Sequence, residues 1–206
     1  MGHRALVAYE RTDGNYNLHY THWGGLNLRL MHKITAATPF GGDRRREWPP
    51  DVHAELTAGA EPATVQEQFD LEAAAMTDVE PLPQETDVSL TEAINDHLDF
   101  LLHEAFYVVD RAFEVTAYRT LWFGLKYEAT CIAESPTVGH GALQPVQWHE
   151  GKPVGDGFTR GQFSGMKQVV GEMVDRGMFD RDGALEYLQG KLFSTTDAEV
   201  RVSLAV

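Results

Sequence analysis

At 206 residues the chain has room for one full domain with its own core, or for two small ones. It is 43% hydrophobic, has no apolar run near the ~18 residues a membrane span needs, and its one cysteine, Cys131, rules out an intrachain disulfide. The net charge is -14 and unevenly placed: sixteen Asp and Glu and no Lys or Arg occur between Glu47 and Asp110, while the other fifteen acids face all seventeen bases.

That acidic segment is a poor ligand for duplex DNA, because phosphate binding needs cations. Only five of the bases are Lys. Acid-rich, Lys-poor composition fits a halophile cytosol, where molar salt screens the self-repulsion of a large net charge. A lone Cys131, read as a small buried apolar group, fits a reducing cytoplasm. Met1-Gly2-His3-Arg4 runs directly into a strand-like pattern, so no secretory leader is expected.

Arg4–Glu10 and Tyr16–Trp23 alternate around Asp13-Gly14 and predict a hairpin. Gly24-Gly25 ends it. Leu26, Leu30 and Ile34 then predict a helix that Pro39 terminates. Residues 38–61 read as a loop, punctuated by glycines and by Pro49-Pro50. Thr64-x-x-Glu67 is a capping-box pattern that predicts a helix through Met76, with Val65, Phe69 and Ala73 on one side. Asp78–Thr86, acidic and proline-bearing, reads as a mobile connection. Ser89-x-x-Glu92 predicts a second capped helix, with Ala93, Ile94, His97, Leu98, Leu101 and Leu102 facing inward.

That helix leads into the densest aromatic and β-branched run, Ala105–Gly124, which predicts a central hairpin broken at Asp110-Arg111-Ala112. On its second strand Phe113, Val115, Ala117, Leu121 and Phe123 share a face whose only charge is Arg119. Tyr127–Ala133 is a candidate strand and Ser135–Gly141 a loop. Val146–His149 and Pro153–Val154 suggest a small hairpin around Glu150-Gly151. A helix capped at Thr159-x-x-Gln162 runs to Arg176 and stops at Gly177. Asp182–Leu192 is a last helix, and Val200, Val202 and Leu204 a closing strand. No regular βαβ alternation is present, so the expected class is α+β, with an antiparallel sheet covered by helices.

MGHRALVAYE, YNLHYTHWGGLNLRL, HEAFYVVDRAFEVTAYRTLWFG, ESPTVGHGAL and GDGFTRGQF resemble an uncharacterised protein family of halophilic archaea, a domain of unknown function. The resemblance covers both ends and leaves out most of the acidic middle. It implies the halophile setting and supplies no catalytic residue.

Five constellations can carry chemistry. Asp99 and His103, four apart, can form a charge-tuned acid/base or ligate a metal; the alternative is a solvated ion pair at a helix end. His140 between Gly139 and Gly141 sits where backbone can approach closely, for a site or for a tight turn. His19 and His22 fall on opposite faces of a regular strand, so a metal site there would need a bulge. GDGFTRGQFSG before a helix resembles an anion-binding helix start without the Lys and Ser/Thr of a P-loop. Arg44-Arg45-Arg46 with Trp48 can contact phosphate or fold back on the acidic segment.

The sequence thus predicts a single α+β domain over 1–206, with an acidic, partly helical insertion at 47–87. The first expected role is an accessory protein that binds a macromolecular partner through that segment. One alternative is a metal-dependent hydrolase, with His140, His103 and Asp99 catalytic and His22, His103 and His140 as ligands. The other is an anion or nucleotide binder at Gly155, Gly157 and Arg160. No cofactor and no oligomeric state follow from these residues.

Overall fold

The β1–β2 hairpin forms where the alternation places it, Ala5–Glu10 against Tyr16–Thr21, antiparallel with Ala5 opposite Thr21. The computed structural model describes residues 2–42, 47–71, 77–195 and 201–204. The Arg44-Arg45-Arg46 run, Ala73 and Met76 lie outside the described residues. The second expected hairpin is β4 (Ala105–Val109) with β5 (Val115–Trp122); Phe113 falls in its turn at φ 61. Asp110 Oδ1 closes that turn by accepting from the Ala112 and Glu114 amides at 2.9 and 2.7 Å.

With β3 (Glu85–Val88), β6 (His140–Pro145) and β9 (Arg201–Leu204), these strands make a seven-stranded sheet in the order β3-β2-β1-β4-β5-β6-β9. Every pairing is antiparallel except β1 with β4. That one parallel pair makes the otherwise antiparallel sheet mixed, because the chain leaves β2 and returns to the far side of β1 only after residues 22–104. The class is α+β. A separate ribbon, β7 (Gln147–His149) with β8 (Lys152–Val154), matches the small hairpin.

The acidic segment is built into this body. Pro49 and Pro50 start α1 (Trp48–Thr57), so the expected loop is overturned there. First-turn amides have no partner inside a helix, which makes proline cheap at those positions. Pro62 likewise opens α2 (Pro62–Phe69) with Glu61 as N-cap, which puts Thr64 inside the helix and leaves its capping box unmade. Val52, Leu56, Val65, Leu71 and Val79 join Ala5, Val7, Tyr9, Ala105 and Tyr107 in one buried cluster. The expected mobile connection is pinned: Asp78 accepts from Arg29, from Lys33 at 2.9 Å and from the Gly42 amide at 3.0 Å. The amides of Glu80 and Gln84 then donate to Tyr20 and Leu18 carbonyls, and the segment continues into β3.

Several other elements end where local chemistry stops them. The expected helix at Leu26 is a 3-10 segment, Leu26–His32, interrupted by positive φ at Asn27 and Leu28. The Ser89–Glu92 capping box is made in both directions and starts α3 (Leu90–Glu92), which passes into a π turn at Ala93–His97 and stops at Leu98. Leu101 and Leu102 therefore face solvent instead of the core. Tyr127–Ala133 forms turns, not a strand: Leu125 and Ala129 are buried four residues apart, a helical spacing. Cys131 is exposed there.

Two long helices complete the fold. In α4 (Asp156–Asp175) Phe163, Val170 and Val174 face the sheet, and in α5 (Arg181–Thr195) Ala184, Leu188 and Leu192 do. They pack on Leu121, Phe123 and Ala142, beside the region of the same sheet face that the 3-10 segment, α1 and α2 cover. The opposite face carries Leu6, Leu18, Phe106, Trp122 and Leu143 under Ala93–Phe100.

Candidate functional site

Arg119, the lone charge on an apolar strand face, is what sets the helix α4 in place. Its side chain is only 6% exposed, and its Nε and Nη2 donate to both carboxylate oxygens of Asp156 at 2.8 and 3.0 Å. Nη1 donates to the carbonyls of Gly25 at 2.9 Å and Glu104 at 3.4 Å. One guanidinium thus ties the first turn of α4 to the Gly24-Gly25 turn and to the start of β4.

So anchored, α4 presents Gly157, Arg160, Gly161, Ser164 and Lys167, a helical spacing, to a cleft of about 460 Å³. Phe100, His103 and Glu104 line the facing wall, with Thr120, Leu121 and Trp122 from β5 and Glu128 from the turns beyond it. No side chain reaches within 4 Å of a Cβ built at Gly157 or Gly161, so these glycines leave room where larger residues would narrow the cleft.

His103 is 7% exposed. Its Nδ1 accepts the Asp99 amide at 3.2 Å, and Thr120 Oγ1 donates to its carbonyl. Burial pushes its pKa down to about 4 against the opposing charge of Asp99, so the ring is neutral near neutral pH. With Nδ1 accepting, the proton belongs on Nε2, which has no hydrogen-bond partner among the described residues. A residue lining the cleft thus carries a neutral ring with an Nε2–H left over for a ligand. Arg160 stands at the rim, exposed and without an acidic partner among the described residues.

At the inner end Lys167 Nζ lies 3.0 Å from Glu128 Oε1 and 4.4 Å from the centre of the Trp122 ring. Burial lowers the Lys167 pKa, and Glu128 works against that shift. Glu128 Oε2 is buried without a partner. Trp122 is held by its Nε1–H donating to the Pro136 carbonyl at 2.7 Å.

The expected residues distribute unevenly around this cleft. His103, Gly157 and Arg160 line it. The Asp99 carboxylate makes no hydrogen bond to the His103 ring and acts on it only through its charge: its Oδ1 accepts from the Leu101 and Leu102 amides and its Oδ2 from Thr137. The helical turns end at His97, so the spacing of four does not make the helical side-chain pair the sequence suggests. Gly155 lines a separate recess with Arg119, Gln144 and Thr159. The α4 start already has Asp156, so the anion-binding helix start is not free.

His140 lines another cavity, about 210 Å³, with Phe123, Ile132 and Arg181. Its neighbouring glycines have packing reasons: Gly139 sits at φ +64 against the Asn95 carbonyl, and Gly141 lies against Phe100. His22 packs edge-on against Trp23 and meets the Tyr20 hydroxyl at 3.2 Å, while Glu104 is paired with His3 at 2.9 Å. Among the described residues no three His, Cys, Asp or Glu stand together as metal ligands. Lys167 was absent from the sequence-based candidates, although it interrupts the inward stripe Phe163, Val170, Val174. Glu128 carries no comparable sequence signal.

The chain matches, over residues 1–203, a family described as a family of unknown function, DUF6735, and it belongs to that family. The match includes the acidic middle. No curated protein and no solved structure matches the chain.

Proposed function

We propose that this protein binds a small organic anion in the cleft between α4 and the start of β4. Arg160 and the Nε2–H of His103 hold the charged group, and Phe100, Leu121 and Phe163 receive an apolar portion. The observation that carries this reading is that His103, whose ring is neutral, and Arg160, which has no acidic partner among the described residues, line one cavity of ligand size, about 460 Å³. A neutral His103 supports it, since it donates without an ionisation step.

Thermal unfolding in KCl, with phosphate, acetate and a nucleoside monophosphate as probes, tests it. At least one probe raises the midpoint saturably, and Arg160→Ala weakens that response about tenfold, the loss of one charge-assisted hydrogen bond. No response to any anion overturns the reading, as does an equal response in Arg160→Ala and His103→Phe.

A second reading, partner binding through the acidic segment, draws support from the outward placement of its acids: Asp51, Glu61, Glu67, Asp70, Glu80, Glu85 and Asp87 are all exposed. A basic partner would be released as salt rises. The same Lys-poor, acid-rich exterior supports a salt-rich cytoplasm as the setting.

A further inference from the structure

We propose that Lys167 is an amine nucleophile that captures a small keto acid as an imine at the inner end of the cleft. This rests on the anion-binding reading above and assigns that site its ligand class. The chain has five lysines, and Lys167 is the only one among its buried residues. It projects into a cavity rather than into packed core, with a carboxylate 3.0 Å away as its proton acceptor and the Trp122 ring as a dry floor. Arg160 lies on the same helical face seven residues earlier, about 10 Å along the axis. Two long side chains span that gap, so a ligand with its carboxylate at Arg160 puts a carbonyl near Lys167.

The step balances within the chain's own groups. The Lys167 ammonium gives a proton to Glu128, and the freed nitrogen lone pair attacks the carbonyl carbon while the carbonyl π electrons move to oxygen. Proton transfer from nitrogen to that oxygen gives the carbinolamine. Glu128 returns its proton to the departing hydroxyl, which leaves as water, and the nitrogen lone pair closes the C=N bond. Burial favours this sequence by disfavouring the charged ammonium, and the partnerless Glu128 Oε2 is free to take the proton.

The experiment is borohydride trapping with pyruvate, levulinate and the neutral aldehyde butanal, read by intact mass and peptide mapping. The expected product is one adduct on Lys167, heavier by one ligand less one oxygen atom, and exceeding that on Lys33, Lys126, Lys152 and Lys191 about tenfold. Lys167→Arg keeps the charge and removes the adduct; Glu128→Gln slows its formation. Adducts spread over the other lysines, or no adduct, overturn the proposal. If keto acids compete with phosphate yet leave no adduct, the anion reading stands and the amine inference falls. If butanal labels Lys167 while no anion binds, the reverse holds.

Discussion

Acid should unfold this protein far more readily than its carboxylates alone would. His19 is 1% exposed, packed 5.0 Å from Tyr9 and 5.5 Å from Phe40 between ring centroids, with Nδ1–H donating to the Glu80 carbonyl at 2.9 Å. Burial pushes its pKa down to about 3, and that of His103 down to about 4. Both lie below the ordinary 6.5, so the unfolded chain binds more protons than the folded one over that interval, and stability falls as pH drops through it. Going from about pH 7 to about pH 5 costs about 2 kcal/mol for each of the two. Together, about 4 kcal/mol is a large part of a typical domain's 5–15 kcal/mol. His53, also lowered to about 4 by burial, acts in the same direction. Urea denaturation at constant KCl, followed by circular dichroism at several pH values, measures this. His19→Phe should be less stable near neutral pH, having lost the Glu80 bond, but should show a shallower pH slope. A stability that is flat down to about pH 5, or a slope unchanged in His19→Phe, refutes the reasoning.

Breaking the Arg119–Asp156 pair from one side, as in Arg119→Met, should cost about 3 kcal/mol by leaving a partly buried carboxylate uncompensated, read as a lowered denaturation midpoint. Gly171→Ala places a Cβ 2.3 Å from the Glu128 carbonyl oxygen, so it should destabilise and move Glu128 away from Lys167, seen as altered anion binding in a variant that still folds. Removing 61–86 should unfold the chain instead of trimming an appendage, because Val65, Leu71 and Val79 leave the cluster that holds β1; a deletion product with a single cooperative transition and native-like circular dichroism would contradict this. That outcome also tests whether residues 1–206 act as one folding unit.

Much of the architecture was legible because it is local. The β1–β2, β4–β5 and β7–β8 hairpins follow from alternation interrupted by Asp13-Gly14, Asp110 to Ala112 and Glu150-Gly151, each within a few residues. Where pattern misled, a neighbour decided. Proline-rich 48–57 is a helix because its prolines sit in the first turn, and the run into Leu102 is not helical because Asp99 caps a separate turn. Arg119 stood out on its strand as the one charge on an apolar face, yet nothing near it in sequence pointed to Asp156.

The candidate site shows the same division. Sequence alone singled out His103, Gly157 and Arg160, each for a local reason of spacing or glycine content. That these belong to one cavity, while His22 and His140 do not, was decided by tertiary structure. The cleft is made of 100–104, 120–128 and 157–167, which meet because β4 and β5 pair and Arg119 draws α4 over their ends. Lys167 acquires its meaning only there. An amine on a helix is an ordinary solvated charge until the fold sets Glu128 and Trp122 around it and takes away its water.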